Sequence, residues 1–241
     1  IKQLLVYPAI NRNIDKGLLN DYLGFGKIEN PGGSTLFEHI KALQPSYSMK
    51  IKITGDRLRY ESKRFYNIKI DSTLTSSNEG TLSEQFMELF KDSIKLRLRS
   101  DVEIGSCISG GMDSTSIASL ASEQLHAENN RFRGVNFFYK GKTYDEREYV
   151  RLFAHEQNTE ISYVTFSIEE MKNQIEKIIW HQDMPFVSTS IFAQWSVFRK
   201  AKEIGLKVML DGQGADELFG GYDPFFYSYF LELLGTKNYK R

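Results

Sequence analysis

Short apolar runs and helix-like runs alternate along the chain from Thr81 onward, and this alternation limits the possible folds more than any other feature. The helix-like runs carry apolar residues three and four positions apart, whereas the apolar runs are short and bounded by glycine or polar residues. Strands that alternate with helices predict an α/β fold, an open parallel sheet with helices on both faces. In chain order the segments are TLSEQFMELFKDSIKLRL (helix), VEIGSCI (strand), STSIASLASEQLHA (helix), FRGVNFFY (strand), DEREYVRLFAHEQN (helix), ISYVTF (strand), IEEMKNQIEKIIW (helix), SIFAQWSVFRKAKEIG (helix) and LKVML (strand).

The first part of the chain, residues 1–70, has a mixed pattern. A short helix is predicted from Ile14, and the runs YSMKIKI and RLRYESKRFY around TGD predict a hairpin. The polar stretch DSTLTSSNEG, residues 71–80, is typical of a linker. We therefore expect a small α+β segment over residues 1–70 and a larger α/β domain over residues 71–241. Because the sequence begins with Ile1 rather than Met, we also expect a fragment of a longer chain.

Composition excludes several classes of protein. The chain has 241 residues, with 31 Lys plus Arg and 31 Asp plus Glu, so it carries no net charge and no electrostatic sign of nucleic-acid binding. No apolar run is long enough to span a membrane, and no signal peptide is visible. A single cysteine, Cys107, excludes an internal disulfide and fits a cytoplasmic protein, in which we expect it to be a buried apolar side chain. A homodimer is one assembly that the sequence leaves open.

A glycine loop, residues 109–114 with the sequence SGGMDS, follows the first strand of the α/β domain. Glycines let backbone N–H groups approach an anion, and the start of the next helix adds partial positive charge. The serine hydroxyls can donate to phosphate oxygens, whereas Asp113 would repel phosphate unless a divalent cation bridges the two. The loop therefore predicts a site for phosphate and Mg²⁺. The alternative is a plain glycine turn in which Asp113 begins the helix.

An acidic loop, residues 211–217 with the sequence DGQGADE, follows the last strand, LKVML. It combines small residues with the carboxylates of Asp211, Asp216 and Glu217. One of these acids could simply cap the next helix. Two acidic loops at neighbouring strand ends would instead hold Mg²⁺ and stabilise pyrophosphate as it leaves. Neither loop contains the Gly-Lys-Ser/Thr end of a Walker loop or a complete GxGxxG pattern.

These two loops carry a resemblance to a known family. SGGMDS resembles the loop of the ATP pyrophosphatases, and DGQGADELFGGY resembles a block of the glutamine-hydrolysing asparagine synthetases. The segments TLFEHIKAL, YDEREYV and HQDMPF resemble other blocks of that family, so the resemblance extends over nearly the whole chain. It implies an adenine nucleotide alpha hydrolase-like fold, ATP and Mg²⁺ as cofactors, and residues 1–70 as the end of a glutaminase domain. It also implies a ligase that converts aspartate to asparagine through an acyl-adenylate, with ammonia from glutamine, and releases AMP and pyrophosphate.

The resemblance also implies roles for individual residues. Asp113 and Asp216 are implied as magnesium ligands and catalytic residues. Gln213 occupies a catalytic position at which the family usually has a glutamate that orients or deprotonates the amine, and glutamine cannot act as a base. The adenine ring is expected at Asn136 or Phe137. The residues implied to bind ATP are Ile108, Ser109, Gly110, Gly111, Asp113, Ser114, Asn136, Phe137, Asp211 and Gly212.

Several alternatives remain open. Gln213 leaves room for another acceptor, as in an amidotransferase of a polysaccharide pathway or a synthetase that closes a β-lactam or peptide ring. A nucleotide-binding module without catalysis and a tRNA-modifying enzyme are further alternatives, and neutral charge and the single cysteine disfavour the latter. The family's cysteine nucleophile and a downstream lysine have no counterpart in this sequence. We therefore expect this stretch of chain to be inactive by itself.

Overall fold

The computed structural model describes residues 1–27, 32–69, 71–74, 78–139, 141 and 145–236. The chain forms two compact units, one made of Ile1–Leu82 with Ile168–Ile191 and the other of Ser83–Ser167 with Phe192–Arg241. The elements in chain order are α1 (Lys2–Leu5), α2 (Lys16–Phe25), β1 (Tyr47–Thr54), β2 (Arg57–Arg64), α3 (Glu79–Arg97), β3 (Ile104–Cys107), α4 (Met112–Ala127), β4 (Arg133–Phe137), α5 (Arg147–Glu156), β5 (Glu160–Val164), α6 (Ile168–Gln182), α7 (Ser190–Glu203), β6 (Val208–Leu210), α8 (Ala215–Phe219) and α9 (Asp223–Thr236).

The first unit contains the predicted hairpin. Strands β1 and β2 pair antiparallel from Tyr47 with Arg64 to Thr54 with Arg57, and a two-residue turn joins them. Gly55 adopts a φ of +57° in that turn, a conformation that glycine reaches without strain. Helix α2 begins after Asp15, whose side chain accepts a hydrogen bond from the backbone N–H of Leu18. The hairpin and the helix predicted from Ile14 are therefore both present.

The second unit is built on a four-stranded parallel sheet in the order β5-β4-β3-β6. Strands β3 and β4 lie at its centre, and their residues are buried or partly buried, which is why they are mostly apolar or small residues in the sequence. Helices α3, α4 and α5 cover one face with Ile94, Ala118 and Val150 among their buried residues. Helix α7 covers the other face. The predicted open parallel sheet with helices on both faces is confirmed.

The structure differs from the sequence analysis at two places in the helices. Helix α3 begins at Glu79, inside the stretch predicted as a linker, and the side chain of Asn78 accepts a hydrogen bond from the backbone N–H of Gly80 at 2.7 Å. A sequence reading that takes Thr81 as the helix start overlooks this earlier asparagine. Helices α8 and α9 were not predicted, because α9 (DPFFYSYFLELLGT) is apolar on nearly all sides and has no helical periodicity. Residues 75–77 of the proposed linker lie outside the described residues.

No helix in the described parts of the chain combines the length and the apolarity that crossing a bilayer requires.

Candidate functional site

The order of the strands creates one distinctive place in the second unit. From β3 the chain moves outward to β4 and then to β5, and it later returns to place β6 on the other side of β3. The direction of winding therefore reverses between β3 and β6. In open α/β sheets, ligands bind beyond the carboxyl ends of the strands at such a reversal. The glycine loop follows β3 and the acidic loop follows β6, so both predicted loops begin at this point.

The two strands are joined close to their carboxyl ends. Ser106 pairs with Leu210 in the parallel register of β3 and β6. The hydroxyl group of Ser106, which is fully buried, donates to the backbone carbonyl of Leu210 at 3.2 Å. This bond lies three residues before the glycine loop and one residue before the acidic loop, and it adds a side-chain link to the backbone ladder where the two loops diverge.

The glycine loop is closed by its own serines. The hydroxyl groups of Ser109 and Ser114 are hydrogen-bonded to each other at 2.8 Å. The backbone N–H of Ser109 donates to Oγ of Ser114 at 3.1 Å, and the backbone N–H of Gly111 donates to Oγ of Ser109 at 3.1 Å. Two loop N–H groups therefore point inward to serine oxygens, an arrangement in which phosphate oxygens could take the place of the hydroxyl acceptors.

Gly110 and Gly111 meet two different requirements in this loop. Gly110 has a φ of +96°, and a Cβ on it would lie 2.9 Å from Cβ and 3.0 Å from the carbonyl oxygen of Glu146, so the loop passes directly against the segment before α5. Gly111 is the residue before α4 in an extended conformation, and no side chain caps the helix there. The uncapped start of a 16-residue helix therefore faces the loop, which favours an anion.

Asp211 shapes the start of the acidic loop. Its Oδ1 accepts a hydrogen bond from the backbone N–H of Gln213 at 3.3 Å, and its carboxylate interacts with the thiol of Cys107 at the end of β3. Burial raises the pKa of the Cys107 thiol, and the nearby Asp211 carboxylate raises it further. Cys107 is only partly buried rather than fully buried as expected, but its thiol is protonated at neutral pH.

The other two acids of the acidic loop differ in their partners. Glu217 accepts a hydrogen bond from the hydroxyl of Tyr222 at 3.0 Å, and this bond, followed by burial, raises the pKa of Tyr222. Asp216 lies against Gly221 so closely that a Cβ there would overlap its Oδ1. The backbone N–H of Gly221 donates to the carbonyl oxygen of Asp216 at 2.9 Å, which closes this turn. Gly221 is thus required to leave room for the Asp216 carboxylate.

The two loops meet at Gly212. A Cβ on Gly212 would lie 3.1 Å from the backbone nitrogen of Ser114 and 3.3 Å from Cβ of Asp113. The backbone of the acidic loop therefore packs on the first turn of α4, next to the residue that we expect to bind Mg²⁺. Gln213, one residue further, is exposed.

The chemistry of these residues fits Mg²⁺ held jointly with a phosphate ligand. In the described residues, no group of three or more His, Cys, Asp or Glu side chains is arranged to hold a metal ion, so an all-protein metal cage is not formed there. Mg²⁺ is usually bound through one or two carboxylates, with phosphate oxygens and water completing its shell. Asp113 is exposed in the first turn of α4, and Asp216 stands in the first turn of α8. They are the two carboxylates that would hold it.

The residues at the end of β4 occupy different environments. Asn136 is 1% exposed, and its side-chain amide donates to the backbone carbonyl of Ile108 at 2.7 Å. Phe137 is partly exposed, and its ring contacts the rings of Tyr139 and Phe166, with centroids 4.9 Å and 5.2 Å away. Ile108 is 1% exposed and packs on Gly134 rather than on a free surface. Of the residues expected near adenine, Phe137 is the one with accessible surface.

One contact of the glycine loop was not predicted from the sequence. The backbone and Cβ of Glu146 form the wall against Gly110, whereas the sequence shows only that the block YDEREYV as a whole resembles the family. The signal available in the sequence is the glycine pair itself, because glycine allows a close approach of the backbone but does not identify the neighbour. Tyr144, the first residue of that block, lies outside the described residues.

The fold and the two loops define a class, the parallel α/β proteins that bind a ligand beyond their strand ends at a reversal of winding. The model of the asparagine synthase family matches residues 85–237, more than half of the chain. The chain therefore belongs to the asparagine synthase family, as the resemblance of its two loops indicated.

Individual relatives agree with this assignment. The chain is 33% identical over 212 residues to glutamine-hydrolyzing asparagine synthetase 1 of Bacillus subtilis strain 168, an alignment that covers 88% of this chain and 32% of the relative. It is 26% identical over 249 residues to putative glutamine-hydrolyzing asparagine synthetase 2 of Methanocaldococcus jannaschii, covering 98% of this chain and 46% of the relative. The chain thus spans less than half the length of these relatives. Among solved structures, a U34-tRNA thiolase from Methanococcus maripaludis matches with a TM-score of 0.43 and 18% identity, over 55% of this chain and 46% of that chain.

Proposed function

We propose that this chain carries the ATP site of a glutamine-hydrolysing asparagine synthetase. The observation that supports this most directly is the meeting of the two loops, in which Gly212 of the acidic loop packs on Asp113 and Ser114 of the glycine loop. Phosphate-binding backbone and two carboxylates are thereby brought to the same strand ends. We also propose that residues 1–70 correspond to the end of a glutaminase domain.

The glycine loop binds the phosphates of ATP in this proposal. Backbone N–H groups of the loop and the uncapped start of α4 attract the negative charge. The hydroxyl groups of Ser109 and Ser114, which are bonded to each other in the structure, rotate to donate to phosphate oxygens. The ring of Phe137 offers an apolar surface for the adenine base.

Asp113 and Asp216 would hold Mg²⁺ when ATP is present. The ion would supply positive charge next to the triphosphate and the departing pyrophosphate. The protein's own contribution is to place one carboxylate on each loop. A cation between the carboxylates and the phosphates would offset the repulsion between these negative charges. Gly221 supports this role, because it leaves the space that the Asp216 carboxylate occupies.

The proposed reaction has two steps. An oxygen of the aspartate side-chain carboxylate forms a bond to the α-phosphorus of ATP, and the bond from that phosphorus to the bridging oxygen of pyrophosphate breaks. Ammonia, supplied from glutamine, then bonds to the acyl carbon while the bond to AMP breaks, and the amine loses a proton. The names of the relatives from B. subtilis and M. jannaschii support asparagine as the product and glutamine as the donor.

Binding of ATP with and without magnesium tests the proposal. Calorimetry should show binding with Mg²⁺ and much weaker binding in EDTA. Asp113→Ala should weaken Mg-ATP binding by about 1–3 kcal/mol, the scale of losing a charge-assisted contact. Glu123→Ala is the matched control, since Glu123 is an exposed acid further along the same helix. Equal affinity in Mg²⁺ and in EDTA would overturn the shared role of the two carboxylates.

A second candidate keeps ATP activation but changes the acceptor, and Gln213 is the observation that favours it. Gln213 is exposed at the meeting point of the loops and replaces the acid that the asparagine synthetase block usually carries there. An amidotransferase or ring-closing synthetase with another carboxylate substrate would then be the function. Release of AMP and pyrophosphate separates the two candidates when it is measured with aspartate and with a panel of other carboxylates. The assay uses the full-length protein, because we expect this stretch of chain to be inactive by itself.

A further inference from the structure

The adenine base is expected at Asn136 or Phe137, but the position of Asn136 indicates a different task. Its side chain is 1% exposed, which leaves no surface on which a base could lie. Its Nδ2 donates to the carbonyl oxygen of Ile108 at 2.7 Å. Only the amide nitrogen can donate to a carbonyl oxygen, so this bond also fixes which way the amide group points.

The bond acts on the peptide unit that enters the glycine loop. The paired register of β3 and β4 ends with Cys107 and Val135. The next peptide joins Ile108 to Ser109, and it is held by side chains at both ends. Its carbonyl oxygen accepts from Asn136 at 2.7 Å, and its N–H donates to Oγ of Ser114 at 3.1 Å.

A peptide group is planar, so two hydrogen bonds on its opposite ends fix the orientation of the whole plane. That plane sets the direction in which the chain leaves β3. The next residue, Gly110, already has a φ of +96° and no space on the side of Glu146. A rotated Ile108–Ser109 peptide would therefore move the N–H of Ser109 away from Ser114 and open the loop.

The amide oxygen of Asn136 shows that a contribution to stability does not by itself explain why an asparagine occupies this position. Its Oδ1 is buried and has no hydrogen-bond partner within the described part of the chain. A buried acceptor without a partner costs free energy, and an apolar side chain of the same size would avoid that cost. What an apolar side chain cannot do is donate to the carbonyl of Ile108.

We propose that Asn136 is a positioning residue, which preforms the glycine loop for phosphate by fixing the Ile108–Ser109 peptide, and that it does not contact the base. This inference rests on the proposed function, because it assumes that the loop binds phosphate. A positioning role and a base contact have different consequences for ligand binding. A base contact affects the choice between ATP and GTP, whereas a positioning residue affects every ligand that brings phosphate to the loop.

The test compares Asn136→Leu with the unchanged chain and with Ser122→Ala. Leucine has a similar size but no donor. Ser122 is fully buried and hydrogen-bonded to Thr159 in the same unit, but it lies two turns along α4 from the loop, so its variant controls for lost stability. Affinities for Mg-ATP, Mg-GTP and magnesium pyrophosphate are measured by calorimetry, together with the urea midpoint of each variant.

We expect Asn136→Leu to weaken the binding of Mg-ATP and of magnesium pyrophosphate by the same factor, about tenfold. The ratio of the ATP affinity to the GTP affinity should stay unchanged. We expect Ser122→Ala to leave all three affinities unchanged even where its urea midpoint falls. If Asn136→Leu does not fold, Asn136→Ala replaces it, since alanine also lacks a donor and is small enough to cause no clash.

Two outcomes would overturn the inference. Unchanged pyrophosphate affinity with an altered ATP to GTP ratio would show a base contact, and unchanged affinities for all three ligands would show a purely structural residue. Failure of the unchanged chain to bind either Mg-ATP or magnesium pyrophosphate is a separate result. It would overturn the proposed function, and the inference would fall with it.

Discussion

Gly212 lies against Asp113, and this contact is what joins the two loops of the candidate site. A Cβ on Gly212 would be 3.3 Å from Cβ of Asp113 and 3.1 Å from the backbone nitrogen of Ser114. These separations are tighter than a methyl group normally tolerates, and backbone cannot move aside as a flexible side chain can. The contact therefore yields a direct test of whether the spacing of the loops determines ligand affinity.

We expect Gly212→Ala to weaken Mg-ATP binding by roughly 1 kcal/mol, about fivefold, because the added methyl group pushes the loops apart. Calorimetry on both chains measures the effect. Gly235→Ala is the control, since nothing lies within 4 Å of a Cβ at that position on α9. Equal Mg-ATP affinity in Gly212→Ala and in the unchanged chain would mean that binding does not depend on the spacing of the two loops.

Gly110→Ala should reduce the free energy of unfolding by roughly 2 kcal/mol or more. The change combines a φ of +96°, unfavourable for alanine, with a contact of 2.9 Å to Cβ of Glu146. Urea denaturation gives the magnitude. Gly205→Ala separates the two causes, because Gly205 has a φ of +85° but no atom within 4 Å of an added Cβ. A loss as large in Gly205→Ala would show that backbone strain, rather than the wall formed by Glu146, is responsible.

The sequence was sufficient to predict the architecture of the second unit, because strands buried on both faces must be apolar and the helices between them must be amphipathic. It was also sufficient to predict that the glycine loop and the acidic loop follow strands of the sheet, because each stands directly after a short apolar run. The meeting of Gly212 with Asp113 could not be predicted, since it depends on β6 returning to the side of β3. The hydrogen bond of Asn136 could not be predicted for a related reason: a polar residue at a strand end suggests a ligand contact, and only the structure shows its amide turned inward to Ile108.

Cys107 should react slowly with thiol reagents in the folded chain. Burial and, secondly, the Asp211 carboxylate raise the pKa of its thiol, and the thiolate is the reactive form. At about pH 8 we expect a rate at least roughly a hundredfold below that of the chain unfolded in urea. Asp211→Asn should increase the rate in the folded chain, because it removes the negative charge that opposes ionisation. An equal or slower rate in that variant would contradict the pairing of Cys107 with Asp211.

Asp145 should make the stability of the second unit depend on pH. Its hydrogen bonds from Arg147, at 2.8 Å and 2.5 Å, hold the pKa of Asp145 below its ordinary value. A carboxylate with a lowered pKa in the folded state stabilises it above the pKa of the unfolded state, about 3.9, and this contribution disappears as the pH falls further. Asp145→Asn should therefore lower the urea midpoint at about pH 7 and have a smaller effect at about pH 3. A difference that is the same at both values would assign the effect to packing rather than to charge.

Gln213→Glu tests whether the side chain of Gln213 bonds directly to the nucleotide or lies near it without contact. The residue is exposed, and the backbone N–H of Gln213 is already used by Asp211. Two unit charges about 6 Å apart in an environment close to water interact by roughly 0.7 kcal/mol, and on this scale we expect a new carboxylate beside the phosphates to weaken Mg-ATP binding about threefold at low salt. At about 1 M salt the Debye length is about 3 Å, and the difference between the variant and the unchanged chain should vanish. Affinities measured by calorimetry at both salt concentrations decide the matter. A loss that persists at high salt would mean that the amide of Gln213 bonds directly to the ligand, and the position would then belong to the ATP site itself rather than to recognition of the acceptor.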